Sequence, residues 1–268
     1  MADPTGRTRF PGSGTGSVAR YGALELRGFG GEPSDLDLDL ETRARGADTA
    51  IELLAACACV PSGGRIDAAD LWALPIGLRL EALLRLAVLG GDPRAQVTQR
   101  CDACQEVMES EFSLLELAEV GAARAAIPIE IRHAGHRLRL RRPTGADVRR
   151  WSEVGADELT MLADLCESLP ADARLDASWL AVADDAMNEL DPLVDFSIAT
   201  TCPECETPCD TPVDLEVLAL GRLRAMQRGL LDTVHRLALA YHWTEAEILG
   251  LPPWRRARYV ELVERAWR

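Results

Sequence analysis

CDACQEVMESEFSLLEL (101–117) lies on CPECETPCDTPVDLEVL (202–218) without a gap. Cys101 and Cys104 meet Cys202 and Cys205, Leu114 falls on Leu215, Leu117 on Leu218, and Phe112 on the apolar Val213. Each stretch reads as strand, C-x-x-C turn, strand. The two-residue spacer of such a knuckle lets both sulfurs reach one ion while backbone amides point at them. A chain that writes this knuckle twice, 101 residues apart, is expected to bring the copies together around one metal ion. Four thiolates are the complete tetrahedral set of a structural zinc and leave no open position for chemistry. The expectation is one zinc per chain on Cys101, Cys104, Cys202 and Cys205, with a vestigial, metal-free pair as the alternative.

The strand-like Gln96–Gln99 leads into the first knuckle, and Val194, Phe196 and Ile198 alternate into the second. Asp92-Pro93 and Asp191-Pro192 precede these strands, which extends the duplication upstream with a two-residue slip. Between the knuckles, Ile127, Ile129 and Ile131 alternate, Ala134-Gly135 turns the chain, and Leu138 and Leu140 alternate on the return, a β-hairpin. Its polar face carries Arg132, Arg137, Arg139 and Arg141, with Arg142 beside them, and reads as a solvated basic face. Thr144 and Asp147 have capping-box spacing at a helix start, and helices follow around 157–168 and 177–189.

Upstream, helical patterning begins near Ala47, and Ile76–Leu89 places Leu80, Leu83, Leu84 and Ala87 on one face. The strict alternation of Asp35–Glu41 fits one short strand with a leucine face and an acid face. Residues 1–33, rich in Gly, Pro, Ser and Thr, read as a disordered tail. Downstream, Leu223, Met226, Leu230, Val234, Leu237 and Tyr241 keep helical spacing along one helix from about Leu215 to His242. Thr244 and Glu247 form a capping box for a short helix, and Pro252 or Pro253 opens a last one. The fold class is α+β, a duplicated, zinc-ribbon-like β-knuckle unit with a β-hairpin, surrounded by helices. Its divisions are a tail (1–33), a core (34–214) and a helical C-terminal arm (215–268).

A net charge of −14 argues against general affinity for nucleic acid, which needs a positive surface. All 29 basic residues are arginine, whose planar fork suits carboxylate pairing at protein interfaces. No apolar run is long enough to span a membrane, and the N-terminal stretch lacks the apolar segment of a secretory signal. The expected compartment is the reducing cytoplasm, where paired thiols bind metal or do redox chemistry. A thioredoxin-like cysteine sits at a helix N-terminus, whereas both pairs here run into strand-like sequence, so a dithiol oxidoreductase is the lesser reading. Cys57, Cys59, Cys166 and Cys209 read as packing residues, Cys209 because its counterpart in the first copy is Met108. His133 and His136 flank the hairpin turn and read as exposed, and His235 and His242, seven apart on one helix with no acidic ligand fixed beside them, read as helix packing. Nucleotide-binding loops, a nucleophile elbow and a zinc-protease motif are all missing, so the chain is not expected to be an enzyme.

The C-terminal run CPECETPCDTPVDL…LLDTVHRLALAYHWTEAEILGLPPWRRARYVELV resembles proteins of contractile phage tails and tail-like injection systems. That family is described as baseplate hub assembly chaperones of the T-even phage type. The matching residues are Cys202, Cys205, Val234-His235, Ala238, Tyr241-His242-Trp243, Glu245, Glu247-Ile248-Leu249, Leu251-Pro252, Arg255-Arg256 and Arg258-Tyr259. Leu74-Pro75-Ile76-Gly77-Leu78-Arg79, Leu83-Leu84, the first CxxC, and Arg142-Pro143-Thr144-Gly145-Ala146-Asp147 also look like the family, so the resemblance covers about residues 50–265. The first knuckle departs from it in lacking a flanking Pro or Gly. The resemblance implies a non-enzymatic assembly chaperone or component of a baseplate, with hub or spike proteins as partners. The protein would be found in a bacterial or phage-infected cytoplasm or retained in the particle. Expected partner-binding residues are Tyr241, Trp243, Trp254, Arg255, Arg256, Arg258 and Tyr259, with Trp243, Leu251 and Trp254 packing the corner and the three arginines fanning outward. A zinc-ribbon nucleic-acid-binding or transcription-associated adaptor is the alternative.

Overall fold

The computed structural model describes residues 8–10, 24–41, 46–59, 64–89, 91–125, 127–168 and 174–266. In chain order the first elements are β1 (Thr8–Phe10), β2 (Leu24–Leu26), α1 (Gly46–Cys57), β3 (Ala58–Cys59), α2 (Ala68–Trp72) and α3 (Ile76–Val88). The first knuckle lies between β4 (Arg94–Arg100) and β5 (Val107–Ser113), and α4 (Leu114–Ala125) follows at once. Then come β6 (Ile129–His133), β7 (His136–Leu140), α5 (Gly145–Val154), α6 (Glu158–Leu165), β8 (Cys166–Ser168) and α7 (Ala177–Leu190). The second knuckle lies between β9 (Ser197–Thr201) and β10 (Pro208–Pro212), and α8 (Leu215–Tyr241), α9 (Glu245–Leu249) and α10 (Pro253–Ala266) complete the chain. Helices and small antiparallel sheets make this an α+β protein.

Helix α3 is the axis of the main core. The sequence pattern gives it one apolar face, yet Leu78, Leu80, Ala82, Leu83, Leu84, Leu86 and Ala87 are all buried, because α1, α4 and α8 pack around it. A helix enclosed on every side must also settle its charges. Arg79 does so against Glu216 of α8 at 2.8 Å, and Glu81 against Arg85 one turn on at 2.9 Å. Leu114 and Leu215 are the first residues of α4 and α8, and both are buried in this core with Ala118 and Ala219 one turn later. The first turns of α8, assigned above to the arm, therefore belong to the main core.

Two expectations for the N-terminal third do not hold. The expected tail includes residues 24–33, but β2 joins a sheet of order β1-β2-β3, and Leu26 and Phe29 are buried in the main core. The remainder of the expected tail, 1–7 and 11–23, lies outside the described residues. Asp35–Glu41 is not a strand but a short 3-10 turn, Pro33–Asp35, followed by further turns. Asp35 is fully enclosed, accepting two bonds of 2.6 Å from the Arg27 guanidinium and one each from the N–H groups of Gly30 and Glu32. The carbonyls of Leu38 and Leu40 accept from Gln227 at 2.6 Å and Arg224 at 2.5 Å, so side chains of α8 take the place of a neighbouring strand.

The segment between the knuckles builds a second, smaller core. The β6–β7 hairpin forms as expected around Ala134-Gly135, and its Ile129, Ile131, Leu138 and Leu140 pack with Trp179 and Ala183 of α7. The helix expected through residue 168 stops at Leu165, and β8 continues the sheet beside β7. Arg142 is not part of an exposed basic face. It is mostly buried and donates to the carbonyls of Ile127, Arg124 and Leu190. This smaller core meets the axis helix where Pro75 bridges Thr144 and the Ile76 N–H donates to the Pro143 carbonyl at 3.0 Å.

Candidate metal centre

Each knuckle is shaped by hydrogen bonds of its own backbone. The N–H of Cys101 donates to the Glu106 carbonyl at 2.9 Å and that of Gln105 to the Cys101 carbonyl at 2.8 Å. At the second knuckle Cys202 donates to Thr207 and Glu206 to Cys202, both at 2.9 Å. Gln105 and Glu206 both take left-handed backbone, with φ of 63° and 57°. The strand registers also correspond: Gln99 pairs Met108, and Thr200 pairs Cys209. Backbone amides then aim at sulfur, Ala103 and Cys104 at Cys101, Glu106 at Cys104, and Thr207 at Cys205.

The two knuckles face one another, and Cys101, Cys104, Cys202 and Cys205 bring their sulfurs within 4.8 Å of one another, close enough to hold a metal ion. Two Sγ···Sγ contacts of 3.6 Å run between the knuckles, Cys101 to Cys205 and Cys104 to Cys202. Exchanging each residue for the one 101 positions away turns one contact into the other. Gln99 donates to Thr200 at 2.9 Å, and the same exchange returns that pair to itself. The contacts thus have the pattern of a local two-fold axis. Cys101 and Cys202 are buried behind it, whereas Cys104 and Cys205 face solvent.

The Asp-Pro steps upstream do not share this correspondence. Asp92 is exposed and holds Arg94, while Asp191 is buried against Gly77 at the start of α3. Cys209 is not in the four-sulfur set. It packs beside Cys101, Met108 and Cys202, and its thiol donates to the Thr207 carbonyl at 3.5 Å. Cys57 is buried, and burial pushes its thiol up to about 12.

The electrostatics suit a cation. The Cys101 thiol is drawn down to about 6, first by the Cys104 N–H and, against desolvation, by the Ala103 N–H and its sulfur neighbours. The Glu106 N–H pulls Cys104 the same way, but the sulfurs of Cys205, Cys202 and Cys101, with desolvation, push its thiol up to about 12. One thiolate here suppresses the next. Full ionisation needs positive charge at the centre, which is what a divalent ion supplies.

The expected partner-binding residues lie apart from the sulfurs and divide into two sets. Tyr241, Trp243 and Tyr259 stack among themselves, with centroids 4.7 to 5.6 Å apart, over a small core of Leu237, Ile248 and Val263. Arg256 is turned inward, buried and within 3.4 Å of the Leu249 carbonyl, so it does not fan outward. Trp254 does not pack the corner: it is 72% exposed, on the solvent side of α10. Arg255 and Arg258 do face outward, Arg255 against the Tyr259 ring and hydroxyl and Arg258 paired with Glu261.

A mixed helix-and-sheet protein with one four-cysteine cluster is the class these features define. No described helix is long and apolar enough to cross a membrane. Compared with known families, curated proteins and solved structures, the chain has no match.

Proposed function

We propose that this chain is a non-enzymatic assembly chaperone or structural component of the baseplate of a contractile, phage-tail-like injection system. In this reading one zinc ion staples it and it acts through protein–protein contacts. The observation that carries the structural part is the four-sulfur cluster, all soft donors and all supplied by turns between strands. A tetrahedral zinc–thiolate distance of about 2.3 Å implies sulfurs roughly 3.8 Å apart. The 3.6 Å contacts between knuckles are close to that. Four protein ligands leave zinc no open position, which favours a scaffold over a metalloenzyme. Matching turns, registers and following helices support reading the two hairpins as copies of one zinc-ribbon-like unit.

The baseplate assignment rests on the resemblance. Two of its segments, Leu74–Arg79 and Arg142–Asp147, lie against one another at the joint of the two cores, and its C-terminal segment builds the aromatic corner. Trp254, Arg255 and Arg258 offer partners an aromatic and cationic face. Baseplate, hub or spike proteins would be those partners. Tagged chain purified from cells that also express the neighbouring genes, with metal measured in the same sample, tests both parts. Recovery without any tail, spike or baseplate protein overturns the assembly role, and a metal-to-chain ratio far below one overturns the staple.

A further inference from the structure

The sulfurs of each knuckle differ in access, and each exposed sulfur lies in contact with the buried sulfur of the other knuckle. Cys104 is exposed and 3.6 Å from buried Cys202; Cys205 is exposed and 3.6 Å from buried Cys101. We propose that Cys104 and Cys205 are sites of oxidation by hydroperoxides, resolved across the cluster by Cys202 and Cys101, so that oxidation exchanges the metal staple for two cross-knuckle disulfides. The proposal rests on the zinc-staple reading for the resting state of the site.

The chemistry follows from access and distance. An exposed thiolate sulfur attacks the outer peroxide oxygen, the O–O bond breaks, and the leaving oxygen takes a proton from solvent and departs as an alcohol, or as water where the oxidant is hydrogen peroxide, leaving a sulfenic acid. The buried thiolate of the opposite knuckle then attacks that sulfur. The S–S bond forms as the S–O bond breaks, and hydroxide departs and is protonated. Two electrons pass from each sulfur pair to one peroxide, so the complete exchange consumes about two peroxide molecules per chain. Bridges closed inside each CxxC would let the knuckles part. Bridges closed between them keep Arg94–Ser113 and Ser197–Pro212 joined by covalent bonds.

The arginines make the pairing readable. Trypsin leaves Cys101 and Cys104 on peptide 101–124, and Cys202, Cys205 and Cys209 on peptide 175–222. The full chain, assayed for zinc at the start, is titrated with hydrogen peroxide and digested without reduction. The expected product is a covalent adduct of the two peptides, which further cleavage at Asp102 and Glu204 resolves into Cys101–Cys205 and Cys104–Cys202 bridges. Zinc release should accompany its formation. Cys205→Ser should abolish the first bridge and keep the second. Bridges within each CxxC, a Cys101–Cys209 bridge, or oxidation that stops at sulfinic acid would overturn the proposal. A chain found without zinc would overturn the staple instead, and the disulfide map of that metal-free chain still decides the pairing.

Discussion

Cys101 and Cys202 are enclosed by protein while Cys104 and Cys205 reach solvent, so serine at these four places should act alike on the metal but differently on the fold. If zinc is the ion, as proposed, each Cys→Ser change removes one of four ligands and should weaken zinc by more than about 100-fold, beyond the usual effect of losing a supporting hydrogen bond. Competition with a chromophoric chelator measures it. Cys101→Ser and Cys202→Ser should also lower the melting temperature of the metal-free chain, because they place a hydroxyl in a buried cluster. Cys209→Ser should bind zinc nearly as the parent does, since serine still donates to the Thr207 carbonyl. Asp191 makes a different prediction. Burial lifts its carboxyl to about 6, with Arg142, 3.9 Å away, and the Gly77 N–H only partly opposing. A carboxyl raised in the folded state supports the fold below its unfolded pKa of about 3.9, and that support is lost as pH rises through its folded pKa. Asp191→Asn keeps an acceptor for Gly77 without the charge. It should therefore be the more stable protein at about pH 7.5, by an order of 3 kcal/mol, with the advantage falling to a few tenths near pH 4 in urea unfolding. That these four cysteines cluster was legible in the sequence because the repeated spacing alone picks them out. Asp191 was not, because its role comes from a helix more than 100 residues upstream.

At the scale of elements, patterning read well where an element meets one neighbour and poorly where it meets several. The β6–β7 hairpin and the capping boxes of α5 and α9 appear as the sequence implies, because the interactions that make them are local. The acid–leucine alternation of Asp35–Glu41 misled, because Asp35 is claimed by Arg27 and the following carbonyls by α8. Helix α3 shows the same limit from inside the core. Its N-cap residue is Pro75, which has no side-chain acceptor, and the Asp191 carboxylate arrives from another element to serve the Gly77 N–H. A Cβ on Gly77 would overlap that carboxylate. Gly77→Ala should thus destabilise by about 1–3 kcal/mol although alanine is the better helix former. Gly221 and Gly229, inside α8, have open space where a Cβ would sit, with nothing within 4 Å beyond their chain neighbours and the helix's own backbone. Gly221→Ala and Gly229→Ala should each stabilise by about 0.5–1 kcal/mol, as read from denaturant midpoints at constant slope.

For the whole molecule, the cluster joins segments whose chain path runs through α4 and the entire smaller core, and this determines what metal removal should do. The hairpins β4–β5 and β9–β10 bury few apolar side chains at their knuckle ends, where Cys101, Met108 and Cys202 are the buried members of the cluster. A two-stranded hairpin with so little to pack is marginal by itself. Their far ends are better anchored. Phe112 and Phe196 meet at 5.6 Å, and Leu114 and Leu215 enter the main core directly after the return strands. Ile129, Ile131, Leu138 and Trp179 make a separate core that owes nothing to the sulfurs. Chelation of the ion under reducing conditions should therefore open the knuckles without unfolding the chain. Amides of 97–110 and 198–211 should lose hydrogen-exchange protection by about 100-fold or more, while those of β6, β7 and α7 keep theirs. Uniform loss of protection across both cores would mean that the ion holds the entire fold. Unchanged protection at the knuckles would mean that the thiol cluster closes without it. Intermediate behaviour, graded from the turns toward Leu114 and Leu215, is what a staple at the open ends of two anchored hairpins requires.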